Sequence, residues 1–165
     1  MEILDVLTGL ARTGHLGPVA NGVTLASVTA EFGEPWVGAV GHRNEWPRLV
    51  GYGDLELAVC RCGAVVLVCL QTWREVIDLP PALAGRPALP GQPYYTDVIA
   101  ALDRAGCPWR PYPALTFEGQ RSVEAEPSGA VFTFEIVDDE EPVLNVVCLP
   151  PHHHDCPTTA ASPGS

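Results

Sequence analysis

The strongest constraint on the fold is a change of hydrophobic period near the middle of the chain. Leu55, Leu57 and Val59 alternate with less apolar neighbours, which is the pattern of a strand with one face in the core. After Gly63, residues 64–70 form a continuous apolar run rich in valine, typical of a central strand covered on both faces. The two segments together predict a β-hairpin at the heart of a sheet.

Helical spacing of apolar residues flanks this hairpin and predicts helices over 2–13, 24–32 and 96–105, with Thr96 as an N-cap. A proline-rich segment, 79–93, is predicted to be a loop. Further strands are predicted at roughly 113–118, 120–126, 129–137 and 142–149, joined by short polar loops. The predicted fold is therefore α+β: a mostly antiparallel, twisted sheet of about six strands with two or three helices on one side.

The length of 165 residues suits one domain. We expect residues 1–150 to form it and residues 151–165 to be a flexible, histidine-containing C-terminal tail. The N-terminal residues include two acids where a secretion signal carries basic residues, and the longest apolar run is too short to cross a bilayer. A cytoplasmic location, with the six cysteines reduced, is therefore expected.

Charge is the most unusual bulk property. Twenty acidic residues stand against nine basic ones, all arginine, and the net charge is −11. This balance argues against nucleic acids and anionic membrane surfaces as partners, because both are bound through basic side chains. It favours a basic protein partner. The absence of lysine, with abundant Ala, Gly, Pro and Arg, is typical of a GC-rich genome such as that of an actinobacterium.

Potential metal ligands occur as Cys60-x-Cys62 and in a C-terminal run, His152, His153, His154, Asp155 and Cys156. Thiolates and imidazoles suit zinc, but neither segment has the C-x₂₋₄-C or H-x₃₋₅-H spacing of usual zinc sites. The sequence therefore predicts no metal or other cofactor, with Cys60, Cys62 and His152 to His154 as candidates if one is bound.

The usual enzyme motifs are absent from the sequence, including phosphate-binding loops and nucleophile elbows. Asp54 and Glu56 share a strand face, but Asp54 follows Gly53, where a turn role is ordinary. No catalytic residue is predicted. Two alternatives stay open: an aromatic-lined ligand or substrate pocket, and a zinc-binding regulatory protein. The pocket residues would be Tyr52, Trp73, Tyr94, Tyr95 and Cys62.

Several segments resemble a group of small uncharacterised bacterial proteins, some considered candidate immunity proteins of polymorphic toxin systems. The resemblance covers roughly residues 24–75, with a looser likeness over 96–106. Its signature is Phe32-Gly33-Glu34-Pro35, then Leu49, Tyr52-Gly53-Asp54-Leu55-Glu56-Leu57 and the apolar strand 65–70. The resemblance implies a helix stop followed by a hairpin, and it carries over no catalytic residue.

The interpretation that follows is a non-catalytic, acidic protein-binding module, with an immunity-type protein that neutralises a basic toxin or effector as the favoured form. Acidic and aromatic side chains in predicted loops and hairpin tips would make the contacts. The predicted contact residues are Glu34, Trp36, Glu45, Trp46, Asp54, Asp138, Asp139, Glu140 and Glu141.

Overall fold

A computed structural model of the chain describes residues 2–38, 46–85, 88–138 and 140–156. It is an α+β fold with a mostly antiparallel sheet, as the sequence predicts. The α-helices are α1 (Ile3–Thr13), α2 (Leu25–Phe32), α3 (Pro81–Ala84) and α4 (Tyr95–Arg104), and a short 3₁₀ helix spans Pro113–Leu115. None of the helices in these ranges is long and apolar enough to span a membrane.

The strands are β1 (Trp36–Val37), β2 (Arg48–Tyr52), β3 (Leu55–Val59), β4 (Val65–Gln71), β5 (Val76–Asp78), β6 (Ala88–Pro90), β7 (Trp109–Pro111), β8 (Gln120–Ala125), β9 (Val131–Glu135) and β10 (Val143–Cys148). The main sheet has the order β1-β2-β3-β4-β10-β9-β8-β7, and β5 pairs with β6 in a separate ribbon. The predicted hairpin is confirmed as β3–β4, near the centre of the main sheet.

The expected sheet of about six strands is wrong, because the main sheet has eight. The two outermost strands, β1 and β7, are only two and three residues long. Such short segments show no hydrophobic period, and β7 ends in Pro111, a residue that sheets tolerate at an edge. The segment predicted as a strand at 113–118 begins instead with the 3₁₀ helix. The predicted loop at 79–93 contains α3 and β6.

One hydrophobic core joins the helices to the sheet. Leu7 and Leu10 of α1 and Leu102 of α4 are buried in it, as are Leu57 of β3 and Phe132 of β9. The alternating burial of β3 follows its alternating sequence. The opposite face of the central strands is half-buried, which agrees with the continuous apolar run of β4.

The cysteines differ from the expected reduced state at one pair. Cys69 on β4 and Cys148 on β10 form a disulfide, with 4.2 Å between their Cα atoms. The two residues lie directly opposite each other in the antiparallel register of these strands. Seventy-nine residues separate them in sequence, so only the strand pairing brings them together.

Candidate metal centre

The turn between β3 and β4 carries two cysteines. The Cys60 N–H donates to the Ala64 carbonyl at 2.9 Å, and the Gly63 N–H donates to the Cys60 carbonyl at 2.9 Å. Gly63 has a φ of 86°, a left-handed conformation that favours glycine and closes the turn. Cys60 is buried and Cys62 is exposed, so one of the two thiols is shielded from solvent.

The segment after β10, residues 149–156, runs towards this turn and is called here the C-terminal strap. Its backbone continues along β4: Leu149 N–H donates to the Val68 carbonyl at 2.9 Å, and His152 N–H donates to the Val66 carbonyl at 2.8 Å. The Asn21 side-chain amide donates to the Pro150 carbonyl at 2.6 Å. These contacts hold the strap along β4 as far as His152, and residues 157–165 of the expected tail lie outside the described ranges.

Four metal-ligating side chains meet where the strap reaches the turn: Cys60, Cys62, His154 and Cys156. The His154 Nε2 atom lies 3.3 Å from the Cys60 sulfur, 3.1 Å from the Cys62 sulfur and 3.7 Å from the Cys156 sulfur. The Cys60 and Cys62 sulfurs are 2.8 Å apart. All four donor atoms lie within 4.8 Å of one another, close enough to surround a single ion.

The donor set suits zinc. Three thiolates and one imidazole form the Cys₃His combination of structural zinc sites, and soft sulfur ligands disfavour magnesium and calcium. Zinc–ligand bonds of about 2.0–2.3 Å place neighbouring donors of a tetrahedral site roughly 3.4–3.8 Å apart. The three distances from His154 lie near that range, whereas the Cys60 and Cys62 sulfurs would separate by about 1 Å on binding.

The pKa of the Cys60 thiol is suited to metal binding. Burial by itself raises the pKa of Cys60, but hydrogen bonds involving the Cys62 and Cys156 side chains and the backbone of Cys62 and Ala64 lower it to about 6. The hydrogen bond to Cys60 raises the pKa of Cys62. The pair therefore holds one thiolate readily at neutral pH, and thiolate is the form that binds metal.

Sequence reasoning identified part of this cluster. Of the candidates, Cys60, Cys62 and His154 come together, whereas His152 and His153 stand outside it. The ring of His152 stacks instead on that of His154, with centroids 5.6 Å apart. Cys156, which the sequence shows only as the end of the C-terminal run, completes the cluster. The signal that could have found it is the pairing of C-x-C with H-x-C, two short motifs that supply four ligands if the two segments meet.

The residues predicted to contact a partner divide between several places. Trp36 is 41% exposed on the edge strand β1, and Glu34 is exposed just before it. Asp138, Glu140 and Glu141 lie in the loop between β9 and β10. In the antiparallel sheet this loop, the β2–β3 turn and the end of β4 lie at the end opposite to the cysteine cluster.

The other predicted contact residues have different surroundings or lie outside the described ranges. Asp54 is only 5% exposed: its carboxylate accepts from the Asp78 N–H at 2.8 Å and lies 3.5 Å from the Arg74 Nε. Trp46 lies near the strap, where it lines a cleft with Leu67 and the strap residues. Glu45 and Asp139 are outside the described residues.

The residues suggested for an aromatic pocket are distributed over the molecule. Tyr52 is buried in the core, and Tyr95 packs edge-to-face on Phe134 with ring centroids 5.0 Å apart. Trp73 and Tyr94 are about half exposed. Cys62 belongs to the cluster at the other end of the sheet. The structure thus assigns these side chains to separate environments.

Comparison with protein-family models, with curated proteins and with solved structures finds no match to this chain. Among the described residues, the Cys₃His cluster is the feature that points most directly to a function.

Proposed function

We propose that this protein binds one zinc ion through Cys60, Cys62, His154 and Cys156. The observation that carries the proposal is the meeting of four donor atoms within 4.8 Å from two segments about 90 residues apart in sequence. Because the protein itself fills all four positions of a tetrahedral ion, the ion would have no open position for a substrate. The proposed role is structural or regulatory.

The ion would secure the C-terminal strap to the β3–β4 turn. Without metal, the strap is held by a few backbone hydrogen bonds, by the Asn21 amide and by the contacts of His154 with the Cys60 and Cys62 thiols. Zinc would add two ligands from the strap and two from the turn, closing a loop that spans most of the described chain. Binding to the folded state alone stabilises that state, so metal content would control how firmly the strap is held.

The test begins with protein purified without a histidine tag or nickel, followed by metal analysis. We expect about one zinc per chain, in line with a single four-ligand site. Replacing zinc by cobalt(II) gives a visible spectrum that reports tetrahedral geometry and cobalt–thiolate bonds. Hydrogen exchange then follows the strap, whose amides should exchange faster after the metal is removed.

Matched variants make the test specific. His154→Ala and Cys156→Ala should weaken zinc binding by more than the roughly 10–100-fold cost of losing an outer-shell partner. His153→Ala and Cys107→Ala remove the same residue types outside the cluster and should leave the affinity within about twofold of the parent protein. Metal-free protein with a Cys60–Cys62 disulfide, or equal effects of His153→Ala and His154→Ala, would disprove the proposal.

A second candidate function is favoured by a different observation. Trp36, Glu34 and the acidic β9–β10 loop lie at the same end of the sheet, opposite to the cluster. This arrangement supports an acidic binding module for a basic protein, in the manner of an immunity protein acting in the cytoplasm. Charge reversal of Glu34 and Glu140 would weaken capture of a basic partner, whereas unchanged binding would argue against this function.

A further inference from the structure

The acidic end of the molecule contains a cleft of about 480 Å³ lined by Trp36, Asp54, Glu56, Trp73, Arg74 and Asp78, among others. We propose that this cleft is a docking site for an arginine-bearing segment of a basic protein. The inference deepens the second candidate function, which it requires, and it is independent of zinc binding at the other end.

Two tryptophans supply the apolar part of the cleft. Trp73 is 51% exposed at the end of β4, and Trp36 donates its indole N–H to the Gly53 carbonyl at 3.2 Å. A side chain at Gly51 would overlap the Trp36 ring, so glycine lets that ring lie against the strand. Exposed and oriented indole faces are typical of recognition surfaces, and they attract cations as well as apolar groups.

Carboxylates supply the polar part. Asp54, Glu56 and Asp78 all line the cleft, and among the described residues around it Arg74 is the one cation. Arg74 pairs with Asp54, while Glu56 accepts a hydrogen bond at 2.9 Å from the neutral amide of Gln71. Glu56 and Asp78 therefore give the cleft negative charge that is not neutralised by an arginine in its lining. The complementary occupant is cationic.

The chain itself shows how a guanidinium group fits here. The Arg74 guanidinium carbon lies 5.0 Å from the centre of the Trp73 ring, and its Nε is 3.5 Å from the Asp54 carboxylate. Arginine combines stacking on an aromatic face with directional hydrogen bonds to carboxylates, which lysine does not. A second guanidinium can use the same chemistry on Trp36, Glu56 and Asp78.

The probe is a fluorescein-labelled peptide with two adjacent arginines flanked by glycines, titrated with the full-length protein by fluorescence anisotropy. Its control replaces arginine by citrulline, which keeps the shape and loses the charge. We expect the arginine peptide to bind more tightly than the citrulline peptide. Trp73→Ala and Glu56→Gln should each weaken binding about threefold to fivefold. Trp73 is exposed and Glu56 is partly exposed, and unchanged thermal unfolding would show that the variants fold.

Glu126→Gln is the matched control, because Glu126 is an exposed carboxylate in the β8–β9 turn at the opposite end of the sheet. It should change the affinity by less than about twofold at physiological salt. Equal weakening by Glu56→Gln and Glu126→Gln would mean diffuse electrostatic attraction. That result would disprove the docking site in the cleft and would still agree with a basic protein partner. Equal binding of the arginine and citrulline peptides would disprove both the docking site and the acidic binding module.

Discussion

At the scale of single residues, Cys60 combines burial with a low pKa. It is 8% exposed, yet hydrogen bonding to neighbouring thiols and backbone groups holds its pKa at about 6, below the ordinary value of 9.0. Because folding lowers this pKa, the ionised thiol stabilises the folded state fully above pH 9. That contribution declines as the pH falls from about 9 to about 6.

In chelator-treated protein we expect the alkylation of Cys60 by iodoacetamide to rise with a midpoint near pH 6. Cys62→Ala removes the largest of the hydrogen bonds that lower the pKa, so the midpoint should move towards 9. Peptide mapping by mass spectrometry distinguishes the cysteines. Cys107, whose pKa is raised by burial, serves as the unreactive control.

Stoichiometric zinc should protect Cys60, Cys62 and Cys156 together, because metal-bound sulfur reacts more slowly than free thiolate. Protection of Cys107 as well would indicate a general tightening of the fold. A midpoint near pH 9 in the parent protein would contradict the hydrogen-bonding pattern of the turn.

At the scale of elements, helix α1 contains a glycine that its packing does not require. Gly9 lies in the middle of the helix, is exposed, and has nothing within 4 Å of the position that a Cβ would occupy. Gly9→Ala should therefore stabilise the protein by about 0.5–1 kcal/mol, since alanine loses less backbone entropy in a helix. Chemical denaturation measures the gain, and a loss of stability would mean that the helix surface is in contact with something else.

Helix α4 is capped by a residue from another element. The Glu141 carboxylate accepts hydrogen bonds from the Thr96 N–H at 3.1 Å and from the Thr96 hydroxyl. The helix begins at Tyr95, so Thr96 lies in its first turn and is not the predicted N-cap. A carboxylate at this position also interacts favourably with the helix dipole. Glu141 therefore has a structural role in addition to its predicted place on the acidic surface.

Glu141→Ala should lower the free energy of unfolding by about 1 kcal/mol, the usual cost of losing a helix cap. Glu140→Ala makes the same change in charge one residue away and should cost less than about 0.5 kcal/mol. Urea unfolding of both variants gives the comparison. Equal losses would show that loop charge, rather than capping of α4, matters.

At the scale of the whole molecule, the pair β4–β10 joins the two halves of the main sheet. One half contains β1 to β4 and the other contains β7 to β10. The Cys69–Cys148 disulfide crosses this junction, and the C-terminal strap extends the same pairing towards the metal centre. The junction thus depends on the disulfide at one point and, in our proposal, on zinc at another.

Replacing both Cys69 and Cys148 by alanine should destabilise the protein, because the disulfide closes a loop of 79 residues. The loop-entropy relation gives about 4.5 kcal/mol as an upper bound. Thermal unfolding with and without reductant provides the measurement: the parent protein should lose stability in reductant, and the double variant should not respond. Equal stability of the two proteins in oxidising buffer would show that the disulfide contributes nothing to the junction.

The sequence alone determined the elements whose signal is local. Alternation in β3, the apolar run of β4 and the helical spacing of α1 each report which face is buried, so the α+β class followed from them. The edge strands β1 and β7 escaped prediction because two or three residues have no period and pair only where a neighbour is present.

Tertiary structure decided the candidate site and the disulfide. Cys60 and His154 are 94 residues apart, and their meeting depends on the strap running along β4. Cys69 and Cys148 meet because of the register between β4 and β10. Local sequence patterns report burial and periodicity, whereas the contacts of distant residues depend on how the strands are ordered in the sheet.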